Sequence, residues 1–479
     1  MMRKMLNSPL EDMDKYILID FGSTFTKAAV VSAKEKKIVF TTMTPSTVHK
    51  DAKLGLDICY SRIKQNLGTE VFDGARKLAT SSAAGGLRMI VVGLTRNLSI
   101  SAGRNAAFSA GAKIIKTYTG LLTSGDIEAI DQSKVEIIFL CGGFEGGNES
   151  GIIHNAKMLG RCRSNIPIIY SGNSKAIHEV RKQLLIRQKE CALVDNIIPE
   201  IGKVNSGPAE ELIRQVFMSR ITDMKGLDKV RGELENVLMP TPAAVLRAGA
   251  LLSRGTENKE GLGPLMIVDV GGATTDVYSH AESTLYESAK CIGSPEPYSK
   301  RTVEGDLGMR ESSDHVIAEI GYERVASDLG ITVESLRSSI DRRLKKRDFL
   351  PSDDTSAKKR EALIDQQIAK YAVNLAARRH AGHAEAVHST ICKFIQCGKN
   401  LTEIATVIGT GGQVVKSREP KEILKEVLIQ ERDKINKILL PESCCFMIDA
   451  DYIFYAAGLL SQIDPDTALS IMKASIKEV

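Results

Sequence analysis

The sequence predicts an α/β protein with two lobes that are built alike. Two short stretches carry this prediction: YILIDFGSTFTKAAVVS (Tyr16–Ser32) and IVDVGGATTDVYS (Ile267–Ser279). Each is typical of an apolar strand that ends in an aspartate, followed by a turn of glycines and hydroxyl residues and by a returning strand. Between the two stretches, strands alternate with helical segments, which indicates a parallel sheet.

The first stretch ends its strand at Asp20 and continues into a small-residue turn. The candidate ligand-binding residues of this turn are Gly22, Ser23 and Thr24. Glycine lets another group approach the backbone closely, and the N–H groups of such a turn attract phosphate oxygens. Lys27 follows the turn, where a surface position is a better interpretation than a phosphate contact.

The second stretch has the same order of residue types, with Asp269 at the end of the strand. Its turn contains the candidate phosphate-binding residues Gly271, Gly272 and Thr274. A glycine-bent hairpin without a ligand explains this stretch alone equally well, and the two interpretations are compatible. Two carboxylates and two hydroxyl-rich turns together suit a polyphosphate with its metal, because Mg²⁺ prefers oxygen ligands.

A third stretch, TVIGTGGQVV (Thr406–Val415), is a short strand that runs into the glycines Gly409, Gly411 and Gly412. Such a turn lets a flat base or a ribose lie against the chain. Two segments, Met239–Gly255 and Asp449–Ile463, are predicted as helices with faces of alanine and glycine. These small faces favour a close helix crossing of the kind that a hinge between lobes needs, although ordinary core packing explains each helix singly.

The five stretches occur in the order phosphate turn, helix, phosphate turn, adenosine turn, helix. This order resembles the actin–Hsp70–sugar-kinase superfamily of ATPases. The resemblance implies two ribonuclease-H-like lobes with ATP or ADP and Mg²⁺ in the cleft. It also implies that Asp20 and Asp269 are the metal-site and catalytic aspartates, that the two hydroxyl-rich turns grip phosphates, and that the three glycines of the third stretch form the adenosine turn.

Three further segments resemble a narrower family that covers nearly the whole chain. They are LATSSAAGGLRMIVVGL (Leu78–Leu94), CGGFEGGNES (Cys141–Ser150) and RTVEGDLGMR (Arg301–Arg310). They are similar to the MutL/GlmL-type accessory proteins of adenosylcobalamin-dependent glutamate mutase and its aminomutase relatives. The resemblance implies an ATP-dependent, chaperone-like reactivating factor that helps a mutase to expel damaged cobalamin, and it leaves open a small second reactivase subunit.

One departure from the superfamily concerns hydrolysis. Hsp70-like members carry a glutamate before the first connecting helix, where this chain has Pro240 or Thr241. We therefore expect either slow turnover or another acid in that role. Glu304 and Asp306 are the candidates, with a solvated acidic turn as the equally weighted alternative.

The composition and charge of the chain limit the classes of partner that we expect. The chain has 64 Lys and Arg against 59 Asp and Glu, a net charge of +5, and no tryptophan. The basic run Arg342–Arg347 lacks the interleaved aromatic residues that a nucleic-acid site needs, so we expect no nucleic-acid partner. The sequence has no run of about twenty apolar residues, so we expect no membrane span. The N-terminus does not resemble a secretion signal, and the nine cysteines show no zinc spacing, so we expect a cytoplasmic protein.

We expect three parts along the chain: a first lobe at 1–260 with an α/β insertion at about 80–240, a second lobe at 261–445, and a C-terminal helix at 446–479 that returns to the first lobe. Within the insertion, Ser99–Gly120 is predicted as an alanine-rich helix. CGGFEGGNES is interpreted as a sharp strand-to-helix loop, slightly ahead of a binding loop. A histidine group (His380, His383 and His388) favours a polar helix surface over a metal site.

Two other functions stay open at this stage. A small-molecule kinase of the same fold would need a carboxylate base near the acceptor hydroxyl, for which Asp269 or Asp276 is available. An actin-like structural ATP-binding protein is the third interpretation, behind the reactivating factor and the kinase.

Overall fold

The computed structural model describes residues 14–22, 24–48, 50–82, 87–221, 234, 236–346, 349, 356–387 and 392–479. The first part of the chain forms four strands and two helices: β1 Lys15–Phe21, β2 Phe25–Ser32, β3 Lys37–Pro45, α1 Ala52–Leu67, α2 Thr69–Asp73 and β4 Arg76–Ser81. The predicted meander of three strands is confirmed. Helix α1 begins where the Asp51 side chain accepts from the Lys53 N–H, and it ends at Gly68.

A second α/β segment lies between β4 and the next strand of its sheet. Its strands are β5 Arg88–Gly93, β6 Lys113–Thr119, β7 Ile137–Gly142, β8 Ile168–Gly172 and β9 Cys191–Leu193. Its helices are α3 Ser101–Ser109, α4 Ser124–Gln132, α5 Ser150–Leu159, α6 Ile177–Leu185 and α7 Gly207–Ile221, with a π-helix at Arg96–Ile100 and a 3₁₀ turn at Ser174–Ala176. The strands are parallel, in the doubly wound order β6-β5-β7-β8-β9.

The helix predicted over Ser99–Gly120 is wrong in its second half. The helix ends at Ser109, Gly111 takes a positive φ of 92°, and Lys113–Thr119 forms the edge strand β6. The β-branched residues of KIIKTYT fit an edge strand better than a helix.

The chain then returns to the first sheet with β10 Asn236–Pro240, α8 Thr241–Arg254 and the small hairpin β11 Gly255–Thr256 and β12 Lys259–Glu260. The first sheet has the strand order β3-β2-β1-β4-β10. Strand β1 pairs antiparallel with β2 and parallel with β4. Its central residues Ile17, Leu18 and Ile19 are fully buried.

The second lobe repeats this sheet. Its strands are β13 Leu265–Val270, β14 Thr275–His280, β15 Lys290–Cys291, β16 Ser299–Glu304, β17 His383–Ala386, β18 Phe394–Cys397, β19 Thr406–Thr410 and β20 Cys445–Asp449. Its helices are α9 Ser313–Ile320, α10 Tyr322–Leu329, α11 Val333–Lys345, α12 Ser356–His380, α13 Gly412–Val415, α14 Pro420–Leu424 and α15 Glu431–Ile435, with 3₁₀ turns at Tyr286–Ser288 and Lys425–Val427.

The last elements are α16 Phe454–Leu460, α17 Pro465–Ser475 and β21 Ile476–Glu478. The sheet of the second lobe has the order β16-β14-β13-β19-β20-β21. Strand β13 pairs antiparallel with β14 and parallel with β19. Counted along the chain within each sheet, the five strands of the first sheet and the first five strands of the second have the order third, second, first, fourth, fifth that defines a ribonuclease-H-like lobe, and β21 adds a sixth strand to the second sheet. The predicted α/β fold of two such lobes with an additional α/β segment is confirmed.

The described residues form two compact units. One comprises the described residues of 14–84, 218–261 and 451–476, and the other those of 85–217, 262–450 and 477–479. The additional α/β segment thus interrupts the first sheet in sequence but packs as part of the second unit. The boundaries at residues 260 and 445 stay a prediction.

Helices α8 and α16 cross closely within the first unit, as their small faces predict. A Cβ atom at Gly458 would lie 2.0 Å from the carbonyl oxygen of Ala244, so only glycine allows this approach. The predicted helix at Asp449–Ile463 begins later than expected, because residues up to Asp449 extend β20. Among the residues that the structure describes, no helix combines the length and hydropathy that a membrane crossing requires.

Candidate functional site

The hairpins β1–β2 and β13–β14 match residue for residue. Asp20 lies opposite Lys27 in the first, and Asp269 lies opposite Asp276 in the second. The turns close alike: the Gly22 N–H donates to the Phe25 carbonyl at 3.1 Å, and the Gly271 N–H donates to the Thr274 carbonyl at 2.9 Å. Two turns with the same spacing and the same closing bond are the strongest feature that the two lobes share.

This register shows that the hydroxyl residues of the two turns do not occupy equivalent positions, although the order of residue types in the sequence is alike. Counted from the two aspartates, Thr24 occupies the place of Ala273, and Thr274 occupies the place of Phe25. Thr24 is exposed and Thr274 is half-buried. Ser23 lies outside the described residues. Hydroxyl groups therefore stand at different positions in the two turns, although the backbone turn is the same.

Asp20 is almost fully buried, with 2% of its surface exposed. Two threonine hydroxyls donate to its Oδ1 atom, Thr241 at 2.6 Å and Thr80 at 3.2 Å. Thr80 lies opposite Asp20 on the parallel strand β4, and Thr241 is the first residue of helix α8. Buried carboxylates need such partners, and these two hydroxyls fix the orientation of the Asp20 side chain.

The Lys27 ammonium lies 3.7 Å from Oδ2 of Asp20, and its side chain is 26% exposed. It also lies over the rings of Tyr452 and Tyr455, 5.3 and 5.8 Å from their centroids, within the range of a cation–π interaction. Lys27 is thus part of the Asp20 site and not the free surface residue that the sequence favoured.

The second turn is supported from behind by the segment Leu307–Ser312. The carbonyl of Gly271 accepts from the Met309 N–H at 3.1 Å, and the carbonyl of Gly272 accepts from the N–H groups of Arg310 and Glu311 at 2.7 and 2.9 Å. Most of this support comes from RTVEGDLGMR, one of the three segments that carry the narrower resemblance. The segment therefore holds the carbonyl side of the turn.

Arg310 anchors that support through its side chain. It donates to Asp365 of α12 at 3.1 and 2.7 Å. Asp365 also accepts from Arg343, which in turn bonds Glu361. All four side chains are buried. A buried network of two arginines and two carboxylates therefore connects the second turn to helices α11 and α12.

Asp269 and Asp276 lie directly opposite each other on neighbouring strands. Asp276 accepts from the Thr274 hydroxyl at 2.8 Å and from Nε of Arg301 at 2.9 Å. Because its oxygens are engaged by these donors, Asp276 is poorly placed to take a proton from an acceptor hydroxyl. The kinase interpretation loses one of its two candidate bases.

The third turn lies beside Asp269. Gly411 has a φ of 89°, and a Cβ atom there would lie 2.4 Å from the Val270 carbonyl oxygen and 2.8 Å from Oδ1 of Asp269. Only glycine fits this position. Gly409 is the last residue but one of β19, and Gly412 begins α13. The structure thus brings the predicted second and third turns together within one unit.

Glu304 and Asp306, the candidate substitute acids, share one partner. Nη1 of Arg379 donates to Glu304 at 2.9 Å and to Asp306 at 2.8 Å. Burial raises the pKa of Glu304, and the charge of Arg379 acts in the opposite direction. These contacts give both acids a structural role at the end of α12.

The loop CGGFEGGNES joins β7 to α5 as predicted. Asn173 accepts from the Gly146 N–H at 3.2 Å, and Asn196 donates to the Gly143 carbonyl at 2.9 Å and to Glu145 at 2.7 Å. Burial acts to raise the pKa of Glu145, but the hydrogen bonds from Ser174 and Asn196 and the charge of Lys175 together hold that pKa below its ordinary value. The side chains of the loop and its neighbours thus hold a sharp turn, as the structural interpretation requires.

The histidine group does not form a helix surface. His380 is fully buried at the end of α12, with its two ring nitrogens 2.8 Å from the hydroxyls of Thr302 and Ser279. His383 begins strand β17, and His388 lies outside the described residues. The prediction of a polar helix surface is therefore wrong for His380 and His383.

Sequence reasoning missed Thr80 and Thr241 as partners of Asp20. Both hydroxyl residues are visible in the sequence, Thr80 at the end of a strand and Thr241 at the start of a helix. Their shared acceptor, Asp20, is distant from both in sequence, so no local pattern connects them. Thr410 faces Asp269 on β19 as Thr80 faces Asp20 on β4. The repeat of the sheet would have predicted this pair of threonines once the hairpins were matched.

Comparison with known proteins decides the family. The family model described as MutL protein matches residues 16–476. The chain belongs to the MutL family. Protein MutL of Clostridium tetanomorphum is 37% identical over 469 residues, which cover 98% of this chain and all of that protein.

Solved structures give a much weaker likeness to this MutL-family chain. Gluconate kinase from Lactobacillus acidophilus is 9% identical with a TM-score of 0.34, covering 97% of this chain and 93% of that one. The ethanolamine utilization protein EutJ from Carboxydothermus hydrogenoformans is 10% identical with a TM-score of 0.26, covering 95% and 89%. The fold assignment rests on the two sheets and not on these superpositions.

Proposed function

We propose that this MutL-family protein is an ATP-binding and weakly ATP-hydrolysing reactivating factor for an adenosylcobalamin-dependent carbon-skeleton mutase or aminomutase of the glutamate mutase type. The observation that carries the proposal is the pair of matched hairpins, each with an aspartate before a glycine turn, in a chain of this family. The family resemblance supports a mutase as the client protein, and the two hairpins support the binding of ATP.

The residues of both hairpins fit a nucleotide with its metal. Asp20 offers a buried carboxylate whose orientation two hydroxyls fix, and Asp269 offers a half-buried one beside two glycine turns. Carboxylate oxygens are suitable ligands for Mg²⁺, which usually retains several waters. When bound, Mg²⁺ would neutralise phosphate charge. Gly22, Thr24, Gly271, Gly272 and Thr274 would contact phosphate oxygens, and Gly409, Gly411 and Gly412 would contact the adenosine.

Slow hydrolysis follows from the start of helix α8. Hsp70-like proteins carry a glutamate at the place that Pro240 or Thr241 occupies here, and the Thr241 hydroxyl donates to Asp20. A hydroxyl is a poor general base, because efficient bases have a pKa near the working pH. Slow turnover suits a protein that changes state with its nucleotide more than one that processes a metabolite.

A rescue assay tests the proposed client. A glutamate-mutase-type enzyme is inactivated with cyanocobalamin, separated from free cobalamin, and incubated with adenosylcobalamin, Mg²⁺-ATP and the purified full chain. We expect recovery of mutase activity only when the chain and ATP are both present, and no recovery with Asp20→Ala. ATP consumption without recovery under any condition would contradict the reactivating role and favour a kinase or another client.

A further inference from the structure

An unbroken line of hydrogen bonds runs from the second phosphate turn into the additional α/β segment (residues 87–221). The Thr274 hydroxyl donates to Oδ2 of Asp276 at 2.8 Å, and Nε of Arg301 donates to Oδ1 of Asp276 at 2.9 Å. Nη1 of Arg301 then donates to the carbonyl of Phe108 at 2.9 Å. Two side chains, Asp276 and Arg301, thus connect the candidate phosphate-binding residue Thr274 to helix α3.

The central links of this line are shielded from water. Asp276 is 7% exposed and Arg301 is 3% exposed. Charge-assisted hydrogen bonds of this kind are short and strong, and the planar guanidinium can use several donors at fixed angles. A displacement of one partner therefore displaces the others, since a buried charge without its partner is costly.

The opposed carboxylates of the second hairpin explain the need for Arg301. In the first hairpin, Asp20 faces the cation Lys27, whereas in the second Asp269 faces Asp276. Like charges directly opposite on neighbouring strands are destabilising. Arg301 neutralises Asp276 from the adjacent strand β16. Asp276 is thereby committed to the protein interior, while Asp269 remains the carboxylate beside the third turn.

Helix α3 and the π-helix that precedes it both accept hydrogen bonds from residues of the second lobe. Phe108 lies in the last turn of α3, where its carbonyl also accepts from the Gly111 N–H at 3.0 Å, and a cation is favourable at this end of a helix. At the other end, the Ser294 N–H donates to the Asn97 carbonyl at 2.8 Å, and the Ser294 hydroxyl donates to the Leu98 carbonyl at 3.2 Å. Asn97 and Leu98 belong to the π-helix that leads into α3.

We propose that Asp276 and Arg301 are positioning residues that hold Thr274 in the second phosphate turn and transmit its state to helix α3. Nucleotide binding at the turn then changes the stability of α3 and of the π-helix before it. The inference rests on the proposed function, since it requires a nucleotide phosphate at the turn that contains Thr274. It assigns the additional α/β segment to the part of the protein that responds to the nucleotide.

Hydrogen exchange on the full chain, with and without Mg²⁺-ATP, tests the inference. We expect nucleotide to slow amide exchange within 101–109 by about fivefold or more, the lower end of ordinary coupling between sites. Arg301→Lys keeps the charge but not the fork of donors, so we expect that response to fall to about twofold or less. Arg378→Lys is the matched control, because Arg378 also pairs with a buried carboxylate of the second lobe, Asp433, at 2.6 Å.

Each other result has a separate meaning. Nucleotide binding is measured by calorimetry in the same samples, and a wild-type chain that binds no nucleotide defeats the proposed function and the inference together. A wild-type chain that binds nucleotide without any change in α3 overturns the inference alone. A purely structural role for Arg301 would speed exchange in α3 equally in both states, leaving the ratio intact. If Arg301→Lys does not fold, Asp276→Asn carries the same test.

Discussion

The Thr241 hydroxyl donates a 2.6 Å hydrogen bond to Oδ1 of Asp20, across 221 residues of sequence. Thr241 begins helix α8, so it orients the carboxylate that we propose as a metal ligand and offers no carboxylate of its own as a base for water. Thr80 donates to the same oxygen at 3.2 Å. The first hairpin is therefore built to present Asp20 in one orientation, which suits tight nucleotide binding with slow hydrolysis.

Replacement of Thr241 by valine removes this hydroxyl while keeping the shape of the side chain. We expect nucleotide affinity to fall about tenfold, since hydrogen bonds to a charged group contribute about 1.5–3 kcal/mol. Thr241→Ser is the matched control and keeps the hydroxyl. Calorimetric titration with Mg²⁺-ATP measures both, and equal affinities for the valine and serine variants would contradict the role of the hydrogen bond.

Replacement of Gly411 by alanine places a methyl group against the Val270 carbonyl and Asp269. We expect the third turn to move, with a loss of nucleotide affinity of tenfold or more by order of magnitude. Gly321→Ala is the control, because Gly321 also has a positive φ, 101°, but no atom within 4 Å of the new methyl. Backbone strain of about 1–3 kcal/mol is common to both variants. Equal nucleotide affinity of the two variants would contradict the assignment of the third turn to the nucleotide site.

Asp365 holds two buried arginines, Arg310 and Arg343. Asp365→Asn removes its charge, so we expect the free energy of unfolding of the second unit to fall by about 3 kcal/mol or more. Urea denaturation measures the change. Glu200→Gln, which breaks the exposed pair between Glu200 and Lys203, should leave the midpoint of the transition unchanged. A small effect of Asp365→Asn would mean that the network does not support the second turn.

His380 makes the stability of the second lobe depend on pH. Burial, and next the charges of Lys300 and Lys399, hold the pKa of His380 well below its ordinary value of 6.5. The unfolded chain binds a proton below about pH 6.5 and the folded chain does not, so stability is present above that pH and falls as the pH decreases. We expect the wild type to lose about 1.4 kcal/mol more than His380→Gln between pH 7.5 and pH 5.5. Parallel pH profiles for the two proteins would contradict this assignment.

Local patterns predicted the parts of the fold that depend on neighbouring residues. Both hairpins, the strands of the additional α/β segment and the small faces of α8 and α16 follow from apolar alternation, turn residues and glycine positions. The wrong predictions concern segments whose secondary structure depends on pairing with a strand that is distant in sequence. Lys113–Thr119 is a strand because β5 pairs with it, and the start of the C-terminal helix is delayed because β20 pairs with β19.

The same distinction separates the predicted and the missed site residues. Asp20, Asp269 and the glycines are visible because each lies within a short motif. Thr80, Thr241 and Arg301 act on residues distant in sequence, so no local pattern identifies them. The match between Lys27 and Asp276 appears only when the registers of the two hairpins are compared.

The most direct test of the account is equilibrium binding of Mg²⁺-ATP to the purified full chain, beside Asp20→Asn and Asp269→Asn. Asparagine keeps the shape of each side chain and removes the charge that a metal requires. We predict saturable binding by the wild type that depends on Mg²⁺, and a loss of affinity of tenfold or more by order of magnitude in each variant. Wild-type binding that both variants retain undiminished, or no binding by the wild type, would contradict the assignment of the two hairpins as a nucleotide site.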